Sequence, residues 1–312
     1  MLKNTSPHVR AVFQALFVTF LWSTSFVVVK IGLKDIPALT FAGLRYTLAF
    51  VCLLPLAIRS GQVAWLRGLS SGWWARLIVL GLVFYSVTQG AVFLSLVYLP
   101  AATVSLLLSF TPVFVALLGI SMLGERPTVL QWGGTALCLA GVLVYFYPVF
   151  LPRQEVVGLI VVGVGLLANA LSMVLGRQVN RSSSLEPLAV TVVSMGFGGV
   201  VLLIGGILVQ GLPRLTSLHW AMILWLAVVN SAFAFTLWNR TLRTLSAMES
   251  SIINNTMLFQ IAVLAWIFLG EGLNRGEVLG MVLAVLGTLA VQMRPATGAT
   301  QPQGERQRAA PR

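Results

Sequence analysis

Leu123-Gly124-Glu125 recurs 146 positions later as Leu269-Gly270-Glu271, and the correspondence extends well beyond the tripeptide. At the same shift Trp74 falls on Trp220, Leu80 on Leu226, Ser105 on Ser251, Gly134 on Gly280, Leu137 on Leu283 and Gly141 on Gly287. The chain therefore reads as one unit of about 150 residues written twice, so a fold open to one copy must be open to the other. Both copies consist mainly of long apolar runs. Hydrophobic residues make up 58% of the chain and charged residues 9%, against roughly a quarter charged in a soluble domain. Such a chain cannot cover itself with polar groups, so lipid must be its main solvent. A duplicated helical membrane unit is a common way to place a substrate site between two halves, which makes transport the leading expectation.

The net charge of +12 does not read as a nucleic-acid footprint, because no stretch interleaves Lys and Arg with aromatics on one face. Cys52 and Cys138 lie inside apolar runs without ligand-like spacing, which argues against a disulfide framework or a metal site. The first apolar run is long enough to span and is followed by no small-x-small cleavage site, so it is expected to stay as a helix.

A hydrocarbon core of about 30 Å needs roughly 20 helical residues. Ten runs meet that description: Ala11–Val29, Ala38–Ile58, Leu77–Val97, Ala101–Leu123, Val129–Phe150, Val156–Leu175, Leu188–Val209, His219–Trp238, Ala247–Leu269 and Val278–Met293. The sequence thus predicts an all-α polytopic membrane protein of ten transmembrane helices, with Arg294–Arg312 as a disordered cytoplasmic tail. With the N-terminus in the cytoplasm, inside segments carry fourteen Lys and Arg. Outside loops carry four (Lys34, Arg153, Arg214, Arg275), and Lys30 and Arg45 lie in or near the membrane. This positive-inside bias predicts both termini in the cytoplasm. Five helices per copy is an odd number, so the second copy enters upside down, giving inverted repeats over 11–150 and 156–293. Inverted repeats suit alternating access, because exchanging the two halves' conformations turns an inward-open state outward.

Trp22-Ser23-Thr24-Ser25-Phe26 with Lys30, then Pro37-Ala38-Leu39-Thr40-Phe41 with Arg45, resembles the opening of an EamA-type repeat of the drug/metabolite transporter superfamily. Leu99-Pro100-Ala101, Pro112 and the closing Leu-Gly-Glu before a Gly-rich helix, present in both copies, extend the resemblance across nearly the whole chain, about Phe13 to Met293. The resemblance implies a ten-helix carrier of the cell (inner or plasma) membrane with a central cavity. The fourth and ninth helices would pack between the repeats, and the fifth and tenth would lie at the periphery. It implies export or exchange of small metabolites, notably amino acids. The expected partners are a small-molecule solute and the bilayer, with no nucleic acid and no cofactor, in a monomer or homodimer. Position 258, which aligns with Pro112, is Leu, so only the first copy is certain to kink.

Polar side chains in lipid need a partner or water, and each is a cavity candidate. The ninth run is richest in them. Asn254 and Asn255 read equally as cavity amides or as bridges between helices, whereas Gln260 reads as a bridge. Asn255 aligns with Ser109 in the fourth run. Gln89, Asn169, Asn230 and Asn239 are single amides where the resemblance places cavity walls, and Met173 shares a face with Asn169. Trp22 lies within its span and, with Ser25, reads as a substrate contact. Trp238 reads either as a stacking surface or as an interfacial anchor. Arg45 reads as structural first and substrate-contacting second, its partner being Asp35, the single Asp, or a substrate carboxylate. Lys30 reads as a snorkelling anchor. Glu125 and Glu271 stand at turns before helices and read as structural caps rather than proton carriers. That leaves Glu249, at the cytoplasmic end, as the acid nearest a span, so facilitated export or exchange is as well supported as proton antiport.

An intramembrane enzyme would need a nucleophile with its base or a metal cluster. The two His residues, His8 and His219, form neither, and no HExxH or paired Asp occurs. A channel would want a filter loop or a ring of like residues, which is also missing. Within transport, the alternative solute is lipid-linked, sugar-like or drug-like, carried by a flippase or related carrier.

Overall fold

The computed structural model describes residues 7–61, 68–123, 128–147, 153–182, 187–241, 244–245 and 247–292. Every regular element among them is helical. In chain order these are α1 (Pro7–Gly32), α2 (Ala38–Arg59), α3 (Ser71–Tyr98), α4 (Ala101–Leu108), α5 (Thr111–Leu123), α6 (Val129–Tyr145) and α7 (Arg153–Ser182). They continue as α8 (Pro187–Gln210), α9 (Ser217–Trp225 with its continuation to Thr241), α10 (Ala247–Leu269) and α11 (Arg275–Gln292). Six of them (α1, α2, α3, α7, α8 and α9) are long and apolar enough to cross a membrane. The other four predicted spans fall on α4 with α5, on α6, on α10 and on α11. The run Ala101–Leu123 is broken between α4 and α5, and α6 has 17 residues. α10 runs 23 residues, Ala247–Leu269, with polar residues concentrated in its first half. The structural reading of Glu125 and the expected tail Arg294–Arg312 lie outside the described residues.

The break has a local cause. Ser109 N–H donates to both Ser105 O (3.0 Å) and Leu106 O (3.1 Å), and Phe110 N–H donates to Leu107 O (3.2 Å), which tightens the last turn of α4. Pro112 follows as the second residue of α5, where a helix needs no N–H donor. In the second copy Leu258 occupies the corresponding place, and α10 runs through unbroken.

α6 and α11 pack along their length through glycine. A Cβ on Gly134 would lie 2.7 Å from Gly287 O, and one on Gly141 2.7 Å from Gly280 O. Only hydrogen lets the two backbones approach so closely. The pairing is reciprocal. Gly134 and Gly280 correspond at the 146-residue shift, as do Gly141 and Gly287, and each touches the other pair's member. Cys138 Sγ lies 3.6 Å from the carbonyl of Ala284, its own counterpart at that shift. Reciprocal contact between corresponding positions is what a two-fold relation produces, here with antiparallel helices. α2 packs on α8, α1 on α10 and α3 on α7, and the largest buried cluster joins α2, α3, α8 and α9, with Phe41 and Phe93 edge-to-face at 5.4 Å.

The turn Leu99-Pro100-Ala101 is held from both sides. Lys30 Nζ donates to Leu96 O (2.7 Å) and Leu99 O (2.5 Å), using the carbonyls left free at the end of α3. Lys30 therefore caps a neighbouring helix and does not snorkel. The Glu271 carboxylate accepts the Ala101 N–H at 2.8 Å, at the start of α4. Gly270, at φ 69°, closes α10 with Glu271 N–H bonded back to Ala265 O, which throws the carboxylate across to the other copy. Glu271 does not cap the helix it precedes. Asn274 and Glu277 cap α11 reciprocally, Asn274 N–H to Glu277 Oε2 at 2.7 Å and Glu277 N–H to Asn274 Oδ1 at 2.9 Å.

Candidate functional site

α3 and α9 both depart from α-helical geometry midway, as π-helix over Leu82–Thr88 and Leu226–Phe233. A π turn bonds each N–H five residues back, which re-aims side chains and loosens the backbone ladder. α2 runs between the two stretches, and its consecutive residues Arg45 and Tyr46 serve one each. Arg45 Nε donates to Ser231 Oγ at 3.1 Å on α9. Tyr46 donates its hydroxyl to Gln89 Oε1 at 2.6 Å, directly after the stretch in α3, and its ring lies 5.4 Å from that of Tyr85.

On the α9 side, Asn230 donates through Nδ2 to Leu21 O and to Thr24 Oγ1 (3.3 Å), both on α1. Its Oδ1 is buried without a partner. The Trp22 indole N–H donates to the backbone carbonyl of Asn230 at 3.1 Å. The Trp22 ring sits 5.2 Å from both Phe235 and Trp238, so three rings close one flank of the polar cluster. Arg45 is 5% exposed. Its guanidinium carbon lies 5.1 Å from the Tyr46 ring centre and 5.9 Å from that of Phe93, within range for attraction to aromatic faces. Among the described residues, no carboxylate lies within ion-pair distance of Arg45. Asp35 is exposed and instead meets His219 Nε2 at 3.4 Å, away from Arg45.

Of the residues singled out from sequence, Trp22, Arg45, Gln89, Asn230 and Trp238 are thus brought into one neighbourhood. The others are elsewhere or differently engaged. Asn169 Nδ2 donates to Thr111 Oγ1 (3.0 Å), tying α7 to α5. Ser109 and Ser25 spend their hydroxyls on Leu106 O and Trp22 O within their own turns. Met173 and Asn254 are exposed, and the side chains of Asn255 and Asn239 lie outside the described residues. Gln260 links Thr19 and Ser23 on α1 with Thr256 on α10. Ser231, Tyr46, Thr24 and Phe235 were not singled out by sequence. Their roles come from contacts between helices distant in sequence, α1 and α2 with α9 and α2 with α3. A separate apolar groove of about 400 Å³ lies between α2, α3 and α8, with Phe50, Leu54, Trp74 and Phe197 among its walls.

A family model described as the EamA-like transporter family matches residues 9–147 and again 156–293. An "Uncharacterized transporter" of Archaeoglobus fulgidus is 26% identical over 86% of this chain and 92% of its own. A "Probable terminal-alkyne amino-acid exporter" of Streptantibioticus cattleyicolor is 25% identical over 91% and 94%. A "Probable amino-acid metabolite efflux pump" of Escherichia coli is 34% identical over 42% of this chain and 40% of its own. One crystal structure superposes with a TM-score of 0.63 over 91% of this chain and 98% of its own at 16% identity, a likeness of fold.

Proposed function

This chain belongs to the EamA-like transporter family, and we propose that it exports or exchanges small metabolites, most naturally amino acids or related compounds, by alternating access across the cell membrane. In this reading α4 and α5 form one broken crossing, so the helices make ten crossings. These divide into two inverted five-helix repeats, 11–150 and 156–293, with both termini in the cytoplasm. The family match in each half and the reciprocal glycine contacts of α6 and α11 support that arrangement. The names of the two exporter relatives support the solute class.

The observation that carries the reading is the polar cluster of Arg45, Gln89, Asn230 and Ser231, closed by Trp22 and set among helices long enough to cross a membrane. Buried polar groups at membrane depth are costly and mark solute pathways. The test is efflux from preloaded proteoliposomes against a panel of radiolabelled amino acids, with and without an imposed pH gradient. Saturable efflux of one solute class is expected, and a panel in which no member leaves faster than from empty liposomes sinks the amino-acid reading. A lipid-linked solute is the second reading, favoured by the apolar groove between α2, α3 and α8, which could seat an acyl chain.

A further inference from the structure

We propose that the solute's own carboxylate is the counter-ion of Arg45. The inference rests on the transport reading above and names the chemical class that site accepts. A guanidinium is always charged and carries five N–H donors in a planar fork. In Arg45 one donor, on Nε, is used by Ser231. The two terminal nitrogens make no hydrogen bond among the described residues. The residue as a whole is 5% exposed. The fork is therefore held by one edge and offered by the other.

The rest of the neighbourhood is neutral. Tyr46 has committed its hydroxyl to Gln89, Ser231 accepts from Arg45, and Asp35 is engaged with His219. A buried cation without a protein anion is strongly disfavoured unless something else neutralises it. A carboxylate matches the free edge of the fork with two parallel hydrogen bonds. A single Arg among neutral partners suits one negative charge, whereas a doubly charged phosphate would call for a second cation. Nearby, Asn230 has an unpartnered buried acceptor, and Trp22 with Phe235 and Trp238 forms an aromatic wall. The solute thus pairs a carboxylate with an apolar or planar body.

Matched acids and amides test this without any need for flux. Thermal unfolding of the purified full-length carrier in detergent would be followed against 3-phenylpropanoate and 3-phenylpropanamide, phenylalanine and phenylalaninamide, and inorganic phosphate. In the native protein the acids should half-saturate at concentrations about tenfold or more below their amides. Arg45→Gln should abolish that preference. Arg45→Lys, which keeps the charge without the fork, should retain only part of it and serves alone if the Gln variant does not fold. Amides that bind as well as acids, no stabilisation by either acid, tighter binding of phosphate, or an unchanged preference in the Lys variant would each overturn the proposal. A carrier that moves solutes indifferent to carboxylates would remain a transporter, so the two failures are distinguishable.

Discussion

Shifted by 146 positions, the π stretch Leu82–Thr88 of α3 covers 228–234, against Leu226–Phe233 observed in α9. The two copies therefore repeat a backbone device at nearly the same place. Its side chains do not repeat. Asn230 and Ser231 correspond to Phe84 and Tyr85, so the second copy presents an amide and a hydroxyl where the first presents two rings edge-to-face, 4.8 Å apart. In α3, Thr88 Oγ1 donates to Val83 O five residues back at 2.9 Å, and the one outward side-chain bond of the stretch among the described residues is Ser86 Oγ to Gly198 O on α8 at 2.7 Å. In α9 the ladder opens outward: Asn230 O takes the Trp22 indole, and Ser231 takes Arg45. Duplication supplied the frame twice, and divergence made one stretch a packing surface and the other a polar one.

The close approach of α6 and α11 is the feature most nearly identical in the two copies, and it should be the most costly to disturb. Gly141→Leu forces a side chain into the backbone of α11. It should abolish a monodisperse folded product, a cost of several kcal/mol in an overpacked contact. Gly280→Leu should do the same from the other side, while Gly133→Leu, with open space around its Cβ position, should unfold normally. Size-exclusion profiles and thermal unfolding separate these outcomes, and a tolerated Gly141→Leu would break the reciprocal-contact picture.

The next test sets the two π stretches against each other. Asn230→Leu keeps the branched outline of the side chain but removes the donors to Leu21 and Thr24. It should cost about 1–3 kcal/mol and reduce transport at least about tenfold, whereas Tyr85→Phe should leave transport near normal. Equal losses in both would show that the stretches share one role. Asn254→Ala, on an exposed amide of α10, should lower transport with membrane insertion intact, and normal transport would return that residue to packing.

A smaller effect is expected at the caps. Glu271→Gln weakens a charge-assisted bond to the first N–H of α4 and should cost about 1 kcal/mol. Glu277→Gln, in an exposed cap, should cost about half that. Chemical denaturation would rank the pair, and a larger loss at Glu277 would mean that the bond between copies stabilises little.

Much of the architecture was legible beforehand because it depends on composition and repetition. Boundaries predicted from apolar runs fall within a few residues of α2, α8 and α10, and the Pro112 asymmetry between copies reappears as a break before α5 against a continuous α10. The site was legible only in part. Arg45 and Trp22 stood out because charge and indole N–H are conspicuous in lipid, but Arg45 was offered Asp35, which the fold places beside His219 instead. Ser231 gave no signal, since a Ser or Thr hydroxyl in an apolar helix usually bonds back to its own turn, as Ser25, Ser109 and Thr111 do, and Tyr46 gave none because its partner Gln89 lies on another helix.

The sequence by itself determined the membrane environment, the duplication and the family, because hydropathy and spacing add up along the chain without knowledge of any contact. Only the tertiary structure decided where the two π stretches lie, which helix Glu271 caps and which atoms face Arg45. Each of those depends on a backbone slip or a crossing between segments distant in sequence, and side-chain periodicity carries no record of either.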